Sequence, residues 1–452
     1  MSVPKPIKDK PMEEKNIPKR ILSSLLGSLS AGVVPRIGAP YIAIGRDTEV
    51  TALLGDLGVI AEGGSSMRFI IGRYGSGKSF LMQLVRGYAL ERGYVTCDCD
   101  LSPERKLCGG KGGGLNTYRE LMKNLAIKTS PEGGALPVIL SRWLSSVRTD
   151  VAAAGSFGEP GSELFAREIR KRIYETLGRI ESSVGGFDLA CVAGRYYEAS
   201  ESGDDALKSC CMRWFRGEYT TRTEARGDLG VGSIIDDDSW YDFIKLWCAF
   251  FREIGYPGFV VFIDECVNLY KITNRIGREN NYEKILSIFN DTCQGRAPGL
   301  AVIMGGTPQF LEDTRRGLFS YEALRSRLSD GRLVADAGFV DTMGPVLRLK
   351  RLSGNELLAL VARLTKLHRM YYGWEPRVTE KDEIDFINEM TSRVGADTHI
   401  TPREIIREYL QVLNVLYQNA KANFGDIVES RKAALTGSSG EDDLLSIDDI
   451  DI

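Results

Sequence analysis

An α/β fold built on a parallel sheet is what this 452-residue sequence predicts. Two short apolar runs, Met67–Ile71 and Gly258–Ile263, end abruptly in polar residues, as buried parallel strands do at their C-terminal ends. A glycine-rich turn and then helical spacing follow the first run, and the text on either side of this alternating region reads as helices.

The chain opens with residues 1–18, where Lys, Glu and Pro dominate and nothing can be buried, so a flexible arm is expected. Ile21, Leu22, Leu25, Leu26 and Leu29 then carry the 3–4 spacing of a helix over Arg20–Val34, ended by Pro35. Ile44-Gly45-Arg46-Asp47-Thr48-Glu49 opens another helix, running to about Leu57, with Asp47 or Thr48 as its cap. Gly45, Arg46 and Glu49 form a Gly-Arg-x-x-Glu box some twenty residues ahead of the next motif.

The first strand, Met67-Arg68-Phe69-Ile70-Ile71, passes at once into Gly72-Arg73-Tyr74-Gly75-Ser76-Gly77-Lys78-Ser79, and Phe80 starts a helix. This order fits the phosphate-loop pattern at every fixed position. Its glycines let backbone N–H groups turn inward around a phosphate chain, and the helix start adds partial positive charge. Lys78 would reach the β- and γ-phosphates, while the Ser79 hydroxyl would hold Mg²⁺. The stretch Gly72–Phe80 is therefore the expected nucleotide-binding segment, and Gly45-Arg46 ahead of it stand where the adenine often rests.

Tyr94–Asp100 reads as a second strand, Gly109–Gly114 as a loop and Tyr118–Lys128 as a helix. From about 130 to 241, helical stretches (Val138–Val147, Leu164–Leu177, Asp188–Ala199, Ala206–Phe215) alternate with Gly/Ser/Asp linkers, which suggests a helical insertion of unknown purpose. The core resumes with a helix at Tyr241–Trp247 and the strand that ends in Asp264-Glu265. Asp264 would bind the Mg²⁺ shell, and Glu265 would act as general base on the attacking water. Glu265 has a blander explanation too, as an acid at a helix start.

Gly299–Pro308 is a further strand, ending in small and hydroxyl residues. Thr307 near its end either senses the γ-phosphate or simply caps the helix before Pro308. Arg315, Arg316, Arg325 and Arg327 follow. Taken singly, each suits a solvated side chain, but Arg325 or Arg327 is the favoured finger supplied across a subunit interface. From about Val346 the text is helical: Ser353–Leu367, Glu380–Arg393 and Pro402–Tyr417. Thr401 caps the last of these with Pro402 in its first turn. There Arg403 either faces the γ-phosphate or solvates an exposed turn. The expected domains are an arm and helix (1–35), a nucleotide-binding core (36–345), a helical lid (346–427) and an acidic tail (428–452). The tail's Glu441–Ile452 mixes acidic and aliphatic residues without a core, which marks disorder with the makings of a docking motif.

Composition bounds the partners. Hydrophobic residues at 43% and charged residues at 26% are ordinary for a globular chain, and the 49 glycines gather in apparent loops. A net charge of −3 gives no general pull toward nucleic acid, although an acidic chain can carry a basic pore once assembled. Nine cysteines without a C-x-x-C pair, and only two histidines, argue against zinc and for reduced thiols in a cytosol. No run approaches the roughly eighteen apolar residues of a membrane span, and Met1–Lys19 lacks a signal-peptide core, so a cytoplasmic protein is expected.

Four stretches carry a resemblance: Ala31–Pro35 with Gly45-Arg46, Phe262–Cys266 with Leu269-Tyr270-Lys271, Gly306–Pro308 with Tyr321–Leu328, and Ile400–Glu404. Together they resemble the BrxD-like ATP-binding proteins of BREX phage-defence systems. That group is similar to AAA+ ATPases of the origin-recognition and STAND branch. The resemblance implies a five-stranded P-loop core of the AAA+/ASCE kind with a helical lid, and ATP with Mg²⁺. It also implies assembly of a homo-oligomeric ring or filament, and action with other defence proteins on DNA. Lys78, Ser79, Asp264, Glu265 and Arg403 match its functional pattern. No room for a DNA-reading winged helix follows residue 425, so DNA contact is expected through a pore or a partner. Two functions are carried forward: an ATP-hydrolysing motor or loader, and a nucleotide-gated assembly switch with little turnover.

Overall fold

A computed structural model describes residues 17–110, 112–155, 162–180, 186–329, 341–392 and 401–428, together with 159 and 430. The expected arm up to residue 16, the acidic tail from 431 and the residues His399 and Ile400 lie outside the described residues. These residues form two compact units, one of residues 47–73 and 81–349, the other of residues 17–46, 74–80 and 350 onward.

The larger unit is organised on five parallel strands: β1 (Ser66–Ile71), β2 (Val95–Asp100), β3 (Phe259–Asp264), β4 (Leu300–Gly306) and β5 (Val346–Arg348), in the order β2-β3-β4-β1-β5. β1 pairs with β4 from Ser66↔Ala301 to Ile71↔Gly306, and β3 pairs with β2 up to Asp100↔Asp264. Near-continuous apolar runs make sense in this sheet because both of its faces are covered. The two-residue period divides each strand between those faces. Phe69, Val261, Ile263 and Val302 point into one core, whereas Ile70, Val260, Phe262 and Ile303 point into the other. The second core is closed by α2 (Asp47–Ala61) and α3 (Lys78–Glu91) through Leu53, Leu57, Leu81, Val85 and Ala89.

The first core is far larger, because α4 (Gly113–Lys123) is followed by five further helices. These are α5 (Leu136–Ala154), α6 (Glu163–Gly178), α7 (Gly186–Ser202), α8 (Asp205–Phe215) and α9 (Arg222–Leu229). They are the expected helical insertion. Trp143, Ile169, Val192, Tyr196 and Trp214 continue the core of the sheet without a break. α9 has no counterpart in the sequence reading, since only Ala225 and Leu229 of its eight residues are buried and the apolar spacing is too thin. α10 (Trp240–Glu253) lays Trp247, Phe250 and Phe251 on the sheet, with Phe259 of β3 edge-on to Phe251. After β3 come the short α11 (Val267–Tyr270) and the long α12 (Arg275–Cys293). α13 (Pro308–Glu312) and α14 (Glu322–Leu328) follow β4.

The smaller unit packs α1 (Lys19–Ser30) with α15 (Gly354–Tyr372), α16 (Glu380–Ser392) and α17 (Pro402–Gln418). Leu25, Leu29, Val361, Leu364, Phe386, Tyr409 and Leu413 share its core. α1 stops at Ser30 rather than running to Val34. Gly32, at φ +68°, takes the left-handed position, while Val33 N–H bonds to Ser28 and Gly32 N–H to Leu29. That reversal satisfies the last carbonyls, so the helix ends on Gly32 and not on Pro35. The start of the predicted helical lid also needs correction. Val346–Arg348 is a sheet strand, and its three residues are too few to show a period.

Candidate active site

β1 delivers the chain to the phosphate loop from inside the sheet. Gly72 still bonds to the strand level, its N–H donating to Gly306 O at 3.1 Å, while Arg73 and Tyr74 emerge exposed. Gly75 and Gly77 then turn left-handed at φ +75° and +89°. Only glycine adopts such angles without strain. The two glycines meet different surroundings. A Cβ on Gly75 would lie 2.1 Å from Thr401 Cγ2, whereas one on Gly77 would meet nothing within 4 Å. Between them Ser76 is buried, and its hydroxyl has no hydrogen-bond partner among the described residues. Lys78 and Ser79 form the first turn of α3, and Phe80 packs beside the core of the smaller unit. Backbone N–H groups at a helix start, on a loop with an open side and an unspent hydroxyl, suit a phosphate chain.

Arg46 serves this loop from behind. It is 6% exposed, and its guanidinium donates to Ser76 O at 2.9 Å and to Lys350 O at 2.8 Å. Gly45 beside it is left-handed at φ +69°, pressed against Glu356, whose Oε1 a Cβ would approach to 2.2 Å. Thr401, which covers Gly75, is the N-cap of α17 in a full capping box with Glu404. Arg403 is exposed in the first turn of that helix, and its stem runs along Gly32.

The acidic residues stand at the end of β3. Asp264 is 7% exposed, and its Oδ1 accepts the Glu265 N–H at 2.8 Å. The same oxygen is pressed onto β4 at Gly305, where a Cβ would come within 2.3 Å of it. Glu265 has φ +56°, the one positive φ of a non-glycine among the described residues. That conformation costs an L-residue roughly 1–2 kcal/mol, and such strain gathers at functional sites. Glu265 also precedes Cys266, the N-cap of α11, so it is not a first-turn acid of that helix.

Asp100, read in the sequence only as the last residue of a strand, pairs in register with Asp264. Partial burial, then the charges of Asp264, Glu265 and Asp98, raise its carboxyl above the usual carboxylate range. Cys266 is buried beside them. Burial pushes its thiol well up, which leaves it inert.

Thr307 caps α13, accepting the Phe310 N–H at 3.3 Å. Arg316 is committed to structure, donating to Tyr270 O at 3.2 Å and lying over the Tyr270 ring. On α14 both Arg325 and Arg327 are exposed. Arg327 donates to Ala323 O of its own helix at 2.6 Å.

Among the described residues, no group of three or more His, Cys, Asp or Glu side chains could hold a metal ion. Mg²⁺ asks for no such cage, because one carboxylate, a hydroxyl, phosphate oxygens and waters suffice. Asp264 and Ser79 are donors of that kind. No described helix is long and apolar enough to cross a membrane.

A parallel sheet with a glycine-rich loop running from a central strand into a helix is the framework of a P-loop nucleotide-binding protein. The chain belongs to the BREX system ATP-binding protein BrxC/D family, whose model matches residues 17–432. No curated protein matches it.

Proposed function

We propose that this protein hydrolyses ATP with Mg²⁺ and couples turnover to work with other BREX proteins, on or beside DNA. The observation that carries the reading is Glu265, a carboxylate held in a strained conformation directly after a buried aspartate at the C-terminal end of a central strand. Lys78 and the loop amides would bind the β- and γ-phosphates, Ser79 and Asp264 would hold Mg²⁺, and Glu265 would take the proton of the attacking water. Mg²⁺, when bound, supplies charge neutralisation at the phosphates. Arg403 is assigned to the γ-phosphate. Thr307 keeps its sensing role alongside its cap, since its hydroxyl proton is still available to donate. Gly45 and Arg46 act on the loop rather than on the base.

The nucleotide-gated switch, with little turnover and no direct DNA contact, remains the second reading. It draws on the fastening of the phosphate loop to Lys350 through Arg46.

Lys78→Ala tests ATP binding. In thermal melts, wild type should gain about 2.7 kcal/mol of apparent stability at a hundredfold excess of Mg-ATP over Kd. The variant should gain none. Equal stabilisation of both proteins would remove Lys78 from the site.

Gly305→Ala tests the metal assignment. The added methyl would displace Asp264 and lower Mg²⁺ affinity roughly 10- to 100-fold, as loss of a supporting contact does. It is read as the Mg²⁺ concentration giving half-maximal ATP protection in the melt. An unchanged midpoint would show that Asp264 is not held there for Mg²⁺.

A further inference from the structure

Arg46 is a charged side chain almost wholly removed from water; after the hydrogen bonds from Ser353, its charge helps to lower the Glu356 carboxyl, and two of its hydrogen bonds go to backbone. One nitrogen, Nη2, donates to two carbonyls, Ser76 O at 2.9 Å and Lys350 O at 2.8 Å. That nitrogen carries two hydrogens, so each carbonyl can receive its own. Ser76 stands between the two left-handed glycines of the loop, Gly75 and Gly77. A trans peptide points its C=O and its N–H in opposite directions. Drawing the Ser76 carbonyl down onto Arg46 therefore turns the Gly77 N–H the other way.

Around Gly77 nothing lies within 4 Å of where a Cβ would stand, so no side chain crowds that residue. Gly45, left-handed and pressed on Glu356, fixes the backbone from which Arg46 reaches. Glu356 is itself held by the capping box at Ser353, accepting the Ser353 hydroxyl at 2.8 Å.

The geometry points to Arg46 as the positioning residue of the phosphate loop: it aims the Gly77 N–H at the phosphates before nucleotide arrives and fastens the loop to the first residues of the C-terminal helical segment. This rests on the loop being the ATP site proposed above, and it assigns Arg46 no contact with the base. An arginine is suited to the task because it stays charged when buried and its fork is rigid.

The test compares Arg46→Ala, Arg46→Lys and Gly45→Ala with wild type and Lys78→Ala, using the full chain. Amide hydrogen exchange is followed in the nucleotide-free proteins, and the Kd for a fluorescent ATP analogue with Mg²⁺ is measured. In Arg46→Ala, exchange in the peptide covering residues 74–80 should quicken, and Kd should rise roughly 10- to 100-fold for two buried carbonyls left without a charged donor. Arg46→Lys should recover part of the affinity, and Gly45→Ala should shift Kd in the same direction as Arg46→Ala. A residue that served only the fold would lower the melting temperature and leave Kd alone. Loop exchange and Kd in Arg46→Ala both within about twofold of wild type would overturn the inference. If wild type and Lys78→Ala are equally unable to bind nucleotide, the ATP site fails and takes the inference with it. Normal wild-type binding with an indifferent Arg46 sinks the inference alone.

Discussion

Glu265→Gln should bind ATP like wild type and turn it over about 10²- to 10⁴-fold more slowly, the usual worth of a positioned general base. An amide cannot accept the proton of the attacking water, yet it keeps the shape of the side chain. It also keeps the backbone strain, because glutamine is no more at ease at φ +56° than glutamate. The strain supplies a second arm. Glu265→Asn removes the base as well, but asparagine tolerates the left-handed region, so this variant should be more stable than Glu265→Gln by about 1 kcal/mol. Phosphate release measures the first effect and urea denaturation the second. A glutamine variant with wild-type turnover would mean that Glu265 is not the base. An asparagine variant no more stable than the glutamine one would mean that the backbone there stores little.

The contrast between Glu265 and its neighbours shows what could be read from the sequence. Strand, glycine loop and helix start are contiguous over Met67–Leu81, so the phosphate loop was legible whole. The same holds for Phe259–Glu265, where burial and the terminal acids lie in one stretch. The motif resemblance likewise led to the family whose model matches the chain. What could not be read depends on contacts between distant residues. Gly305 cradles Asp264 from another strand, and Arg46 reaches Ser76 and Lys350, 30 and 304 positions away. Asp100 owes its raised carboxyl first to its burial at the strand end and then to a register that seats it beside Asp264. Glu265's left-handed backbone has no sequence signal at all, since glutamate is a residue one expects in a helix. The missed strand Val346–Arg348 belongs with these. It exists because β1 offers a free edge at Phe69–Ile71, not because of any pattern of its own.

The remaining assignment reaches beyond a single chain. If α14 presents an arginine to a neighbour's nucleotide, each active site is complete only where two copies meet, and ATPase rate per chain should rise with protein concentration. The structure separates the two candidates. Arg327 bonds to Ala323 O of its own helix, while the Arg325 side chain is exposed with no partner among the described residues. Arg325→Ala should therefore have the larger effect. A trans arginine is worth about 10³–10⁵ in rate, whereas an exposed ion pair contributes at most about 1 kcal/mol, roughly fivefold. Size alone thus distinguishes a finger from a surface charge, provided that nucleotide affinity is unchanged. Mixing supplies the sharper measurement. Arg325→Ala brings an intact base and Glu265→Gln an intact finger, so interfaces between the two should regain activity that neither variant has alone. Recovery should follow the fraction of mixed interfaces as the ratio is varied. Activity independent of concentration, with no recovery at any ratio, would make the protein a monomeric switch and remove Arg325 from its chemistry.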